Sequence, residues 1–274
     1  MRKLFIRIII WLGIMAFLTL VAMGSWWFIS GGSQTTASLK WLQLAQTIAT
    51  FALPPILCAW LWSYNHQPFA WLKLDKKVPW QTVLLCIAIM ICAIPGINLL
   101  ADLNGRIVFP ECLRSLETVL RQQEDAAAAL TERFLQADNA GVLLLNIGLM
   151  ALLPAFAEEL TFRGTLQQIL PSSRIHLAIW LTAIIFSAIH MQFYGFVPRM
   201  LMGAMFGYVF AWTGSLWAPI IMHFTNNAIA VLSYYWFNQI DAIDTIGAKS
   251  TWWLGALSIV VVIVLLRQLH LRVH

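Results

Sequence analysis

The sequence predicts an all-α protein: a polytopic bundle of about eight membrane-spanning helices, with one amphipathic helical segment outside the bilayer. Three observations carry that expectation. Of the 274 residues, 60% are hydrophobic and only 11% charged, where a soluble domain carries about 25% charged residues. The apolar residues gather into eight stretches of membrane-crossing character, for which about 20 residues suffice. The basic residues sit in short patches beside those stretches, as they do when they orient spans. The net charge of +5 therefore fits orientation rather than nucleic-acid binding, and no nucleic-acid partner is expected. Cys58, Cys86, Cys92 and Cys112 show no metal-type spacing, and three of them lie in apolar runs.

The elements follow in order. Residues 4–29 have a basic start but too long an apolar run for a signal-peptide core, and read as a retained first span. Spans are expected at 41–64 and 81–100. Residues 101–140 differ: they hold seven of the twelve acids and four arginines. There Leu113, Leu116, Leu120, Leu130 and Phe134 recur at near-helical intervals, which predicts an amphipathic helix on the membrane surface or capping the bundle. Five further spans are expected at 141–168, 176–192, 198–213, 217–237 and 251–268. Trp26–Trp27 and Trp252–Trp253 fall at span ends, where Trp anchors to the interface. Gly203 and Gly207 form a G-x-x-x-G that allows close helix approach. The whole of 1–274 reads as one membrane domain, with 101–140 as an insertion and 145–230 as its chemical core.

Charge placement tests the count. Arg2, Lys3 and Arg7, then Lys73, Lys76 and Lys77, then Arg174, and finally Arg267 and Arg272 fall on one side. The other side's short loops receive Lys40, Arg199 and Lys249, one each. The excess puts both termini in the cytoplasm.

Outside 101–140, Asp75, Asp241 and Asp244 are in loops, leaving Glu158 and Glu159 as the carboxylates within apolar segments. A charged side chain at mid-membrane costs about 2.5–3.5 kcal/mol on insertion scales and commonly faces a cavity. Glu159 and Arg163 are four apart and can pair on one face. Glu158 is turned about 100° away and needs another partner. Two later spans offer one: His190 near the end of an apolar helix, and His223 inside another, followed by Asn226 and Asn227. His223 and Asn227 share a face, and Asn226 is nearly as well placed. If every helix stood straight and upright these groups would not converge. Tilt, or a fifth helix starting in the cytoplasm at Pro171, would bring them together.

A carboxylate can take a proton from water while an imidazole orients it. A second His and an Asn amide can donate to a developing oxyanion. Glu158, His190 and His223 could instead hold a divalent metal such as zinc with an open fourth position. No Ser or Cys sits beside a His as a nucleophile would.

These residues also fit a pattern. "EELTFR" fits E-E-x-x-x-R, "FSAIH" (Phe186 to His190) fits F-x-x-x-H, and "HFTNN" (His223 to Asn227) fits H-x-x-x-N. In that order the motifs resemble the CPBP family, the type II CAAX prenyl endopeptidases and their bacteriocin-processing or immunity relatives. The resemblance covers about 145–230 and implies an intramembrane endopeptidase. It implies Glu158 as general base, His190 as water-positioning partner, and His223 with Asn227 as oxyanion donors. Glu159 and Arg163 would be a supporting ion pair, and the family's metal dependence stays open. The expected partners are a peptide or membrane-protein substrate and the lipid bilayer, and the expected location is a bacterial inner membrane. The alternatives are a non-catalytic immunity or scaffold protein and a proton-coupled transporter.

Overall fold

The computed structural model describes residues 2–238 and 243–273; Asp241 lies outside the described residues. Helices occupy all eight expected places, and no strand occurs among the described residues. They are α1 (Arg2–Ser30), α2 (Thr36–Trp62) and α3 (Trp80–Gly105), then the amphipathic α4 (Arg114–Leu135). The second half holds α5 (Ala140–Gln167), α6 (Ile175–Ala188), α7 (Phe196–Thr213), α8 (Trp217–Phe237) and α9 (Trp252–Val273). Among the described residues, five helical stretches are long and apolar enough to cross a membrane: α1, α2, α3, α5 and the one ending in α9. Large apolar side chains such as Phe5, Phe17, Phe28, Leu144 and Ile263 are exposed on them, as lipid-facing surfaces require. The chain is an integral membrane protein.

Prolines shape the two helices that meet beside the site. In α2 a π-turn over Thr47–Ala52 leads into Pro54 and Pro55. In α5 another over Ile147–Leu152 leads into Pro154. Proline has no N–H and its ring crowds the carbonyl four residues back; a widened turn makes that room. Pro55 cannot donate to the Phe51 carbonyl. The Thr161 hydroxyl of α5 donates to it instead, at 2.8 Å. The bond ties α5 to α2 midway between Glu159 and Arg163.

Small residues let the remaining helices approach. Gly96 of α3 faces α9, where its N–H donates to Ser258 Oγ at 3.0 Å. Gly203 and Gly207 of α7 are buried against α6: a Cβ on Gly207 would sit 2.9 Å from both Ile179 Cγ2 and Gln167 Oε1. The G-x-x-x-G serves packing inside the bundle. Gly214, at φ +61, ends α7 in the left-handed conformation that glycine adopts freely.

α4 is held near both ends. Arg133 donates to Thr36 Oγ1 at 2.8 Å and to the Gln34 carbonyl at 2.6 Å, while Phe134 and Leu135 are buried. Nearer its start, Glu117 accepts from Phe109 N–H at 2.9 Å and pairs with Arg121 at 2.8 Å. Leu113, Leu116, Val119 and Leu130 remain exposed.

Candidate active site

The site is assembled from α5, α6, α7 and α8. A cavity of about 260 Å³ is lined by Glu158, Phe186, His190, Arg199, Met202, Phe206, His223, Asn226 and Asn227. Six of these nine are residues singled out by motif and spacing. His190 reaches the cavity because α6 ends at Ala188, short of the expected span end at 192. His190 then lies in the turn to α7, and its Nδ1 donates to the Phe186 carbonyl at 2.8 Å.

Beneath the cavity lies a buried charge cluster. Glu159 Oε1 accepts from Arg163 Nη1 at 2.7 Å and from His223 Nδ1 at 2.9 Å. Both members of the Glu159–Arg163 pair are 0% exposed. Arg163 Nη2 donates to the Gly203 carbonyl at 2.7 Å, and its guanidinium lies over the Phe186 and Phe206 rings at 4.9 and 5.3 Å. Such placement over ring faces is favourable for a cation. Phe206 stacks on His223, centroids 5.4 Å apart.

The expected ion pair forms, and it has a further partner. Glu159 and Arg163 do not merely neutralise each other, because Glu159 also holds the imidazole of His223. Carboxylate and carbonyl oxygens only accept, so Nδ1 of both His223 and His190 carries a proton. Nε2 of each ring is then left for the cavity. His223 Nε2 lies 3.8 Å from Glu158 Oε2, too far for a direct hydrogen bond and suited to a bridging water. Glu158 keeps 15% of its side chain exposed. Asn226 Nδ2 donates to Asn227 Oδ1 at 3.2 Å, so the two amides act as a linked pair.

The metal alternative fares differently. Among the described residues, no three His, Cys, Asp or Glu side chains are grouped so that they could hold a metal ion. Glu158, His190 and His223 share a cavity without being grouped as a three-donor set.

Arg199, Met202 and Phe206 were not anticipated. Charge placement put Arg199 in an outer loop, whereas it belongs to the first turn of α7. The spacing 199, 202, 206 marks one helical face, a signal the sequence does contain.

Residues 140–229 match the family described as type II CAAX prenyl endopeptidase, Rce1-like. Over these residues the chain is similar to that family. All four site helices fall within the matched stretch, α8 through residue 229. The chain is also 33% identical over 88 residues to the uncharacterized protein YpbD of Bacillus subtilis (strain 168), covering 31% of this chain and 43% of that protein. The aligned stretch thus spans less than half the length of that curated relative. No solved structure matches the chain. Outside the matched residues, α3 and α4 still touch the site's edge. Asn104 Nδ2 donates to the Phe193 and Tyr194 carbonyls at 2.8 and 2.6 Å. Glu124 accepts from Tyr194 N–H at 3.2 Å, and Arg121 lies 4.3 Å from the Tyr194 ring centroid.

Proposed function

We propose that the protein is an intramembrane endopeptidase that hydrolyses a peptide bond of a membrane-associated peptide or small membrane protein. The observation that carries this reading is the 3.8 Å approach of Glu158 Oε2 and His223 Nε2 in a cavity shared with His190 and Asn227. The likeness of the core to the Rce1-like family supports the same reaction class.

In this reading a water rests between Glu158 and the imidazoles. Glu158 takes its proton, and the oxygen attacks the scissile carbonyl carbon. His190 Nε2 accepts the water's other hydrogen and so orients it. The carbonyl oxygen becomes an oxyanion facing the Asn227 amide and protonated His223, whose Nε2–H donates to it. Glu159 bonds the Nδ1 side of that imidazolium, as a buried carboxylate steadies the histidine of a serine-protease triad. Collapse of the intermediate breaks the C–N bond, and Glu158 returns its proton to the leaving amine. The products are a carboxylic acid and an amine; the acid's proton passes to the amine, leaving a carboxylate and an ammonium group.

A bacterial inner membrane with both chain ends cytoplasmic is the proposed setting. The decisive comparison is cleavage of membrane-associated peptides by the wild type and by Glu158→Gln, each shown to be folded. The reading expects cleavage to fall by about 10²-fold or more in the variant. Undiminished cleavage would overturn it. Absence of cleavage in both proteins would favour a scaffold or immunity role.

A further inference from the structure

Arg199 is the charge in the bundle that the catalytic reading leaves unused. Its guanidinium folds back over Gly195, where a Cβ would meet Nη2 at 2.9 Å and Nη1 at 3.3 Å. Nη2 donates to Gln192 Oε1 at 2.7 Å, whereas Nη1 is buried and has no hydrogen-bond partner. Arg163 differs in its charge partner: its Nε is likewise buried without a hydrogen-bond partner, but Glu159, the Gly203 carbonyl and two rings compensate the cation. No ion pair of Arg199 occurs among the described residues, and Glu158, across the shared cavity, faces it without direct contact. A cation inside a membrane bundle without a direct ion pair is costly, and such residues mark ligand routes.

Its position says where the missing partner arrives. Arg199 lines the 260 Å³ cavity with Glu158 and His223. It also lines a second hollow of about 410 Å³, whose lining includes Asn98, Asp102, Asp244, Thr245 and Lys249. It therefore forms part of the partition between an outer vestibule and the place where a bond would be cut. The guanidinium borders both hollows, and its planar N–H groups suit a carboxylate.

We infer that Arg199 anchors a carboxylate of the substrate, carried by a residue close to the scissile bond and entering from the vestibule side. The carboxylate belongs either to an Asp or Glu side chain or to the chain's own C-terminus. This inference rests on the endopeptidase reading for its scissile bond, while the anchor itself can be tested by binding alone.

Three fluorescent peptides of one length and apolar sequence separate the sources: a free C-terminal acid without acidic side chains, a C-terminal amide with one Asp, and a neutral amide. Their affinities are measured by anisotropy in detergent micelles on the Glu158→Gln background, which leaves bound peptide uncut. At least one anionic peptide is expected to bind about tenfold more tightly than the neutral one, in line with a charge-assisted hydrogen bond; whichever it is names the source. Arg199→Gln should collapse that ratio to near one, and Arg199→Lys should retain part of it. Gly195→Ala keeps the charge but takes the space the guanidinium occupies, so it too should lower the ratio. It serves as the second probe if Arg199→Gln does not fold. Equal binding of all three peptides, or a preference that survives Arg199→Gln, would overturn the anchor. A charge preference without any cleavage by the wild type would sink the endopeptidase reading alone. Cleavage without charge preference would sink the anchor alone.

Discussion

Glu159 Oε1 takes hydrogen bonds from Arg163 on its own helix and from His223 on α8, at 2.7 and 2.9 Å. One oxygen thus serves the fold and the proposed chemistry together. The two duties can be separated. Glu159→Gln leaves Arg163 buried without its counter-charge and should cost about 3–5 kcal/mol of stability. Combining it with Arg163→Met removes the orphaned cation and should restore much of the thermal midpoint in detergent. Cleavage should nonetheless stay about 10–100-fold down, because His223 has lost the group that orients it. A double variant with both stability and full cleavage would show that the His223 contact is incidental.

Gly207 is a packing residue with no slack. A methyl group there would press on Ile179 and Gln167 at 2.9 Å. Gly207→Ala should destabilise the bundle by about 1–3 kcal/mol, the range for overpacking. A thermal midpoint unchanged from wild type would mean that α6 and α7 separate more easily than their packing implies.

The tether at the start of α4 depends on pH. The Phe109 N–H, followed by Arg121, holds the Glu117 carboxyl below the usual carboxylate range. A group lowered in the folded state stabilises above its unfolded pKa, about 4.3. That contribution fades as the pH falls through the lowered folded value. The hydrogen-exchange protection of residues 107–121, taken relative to the unstructured rate at each pH, should therefore be steady from neutral pH to about pH 5 and fall in stronger acid. Glu117→Gln should show weak protection at all these pH values. Acid-insensitive protection in the wild type would remove Glu117 as the tether.

Cleavage should survive chelation. Glu158, His190 and His223 do not form a three-donor metal set. Protein treated with a strong chelator, and checked by elemental analysis, should keep its wild-type rate. Loss of cleavage that zinc restores would mean that these side chains regroup around a metal.

Much of the site was legible because its residue types are expensive in an apolar helix. Glu158, His190 and His223 stand out by type, and helical spacing separates Glu158 from the Glu159–Arg163 pair. What spacing along one helix does not encode is contact between helices. The Glu159–His223 bond joins positions 64 residues apart, and the stacking of Phe206 on His223 is likewise inter-helical. Arg199 falls inside the expected span 198–213, yet the charge tally counts it with the outer loop because it lies at the span's end. Here the helix begins three residues earlier, at Phe196. The π-turns were foreshadowed only by their prolines, since the widening depends on how a neighbour such as Thr161 satisfies the freed carbonyl.

The turn that carries His190 is gripped by Asn104 of α3 and Glu124 of α4, both outside the matched residues 140–229. The most recognisable part of the chain does not fix its own geometry alone. Sequence drift in the unmatched cap would move one imidazole relative to an unchanged Glu158. Evolution thus has a way to retune the reaction without touching a single motif.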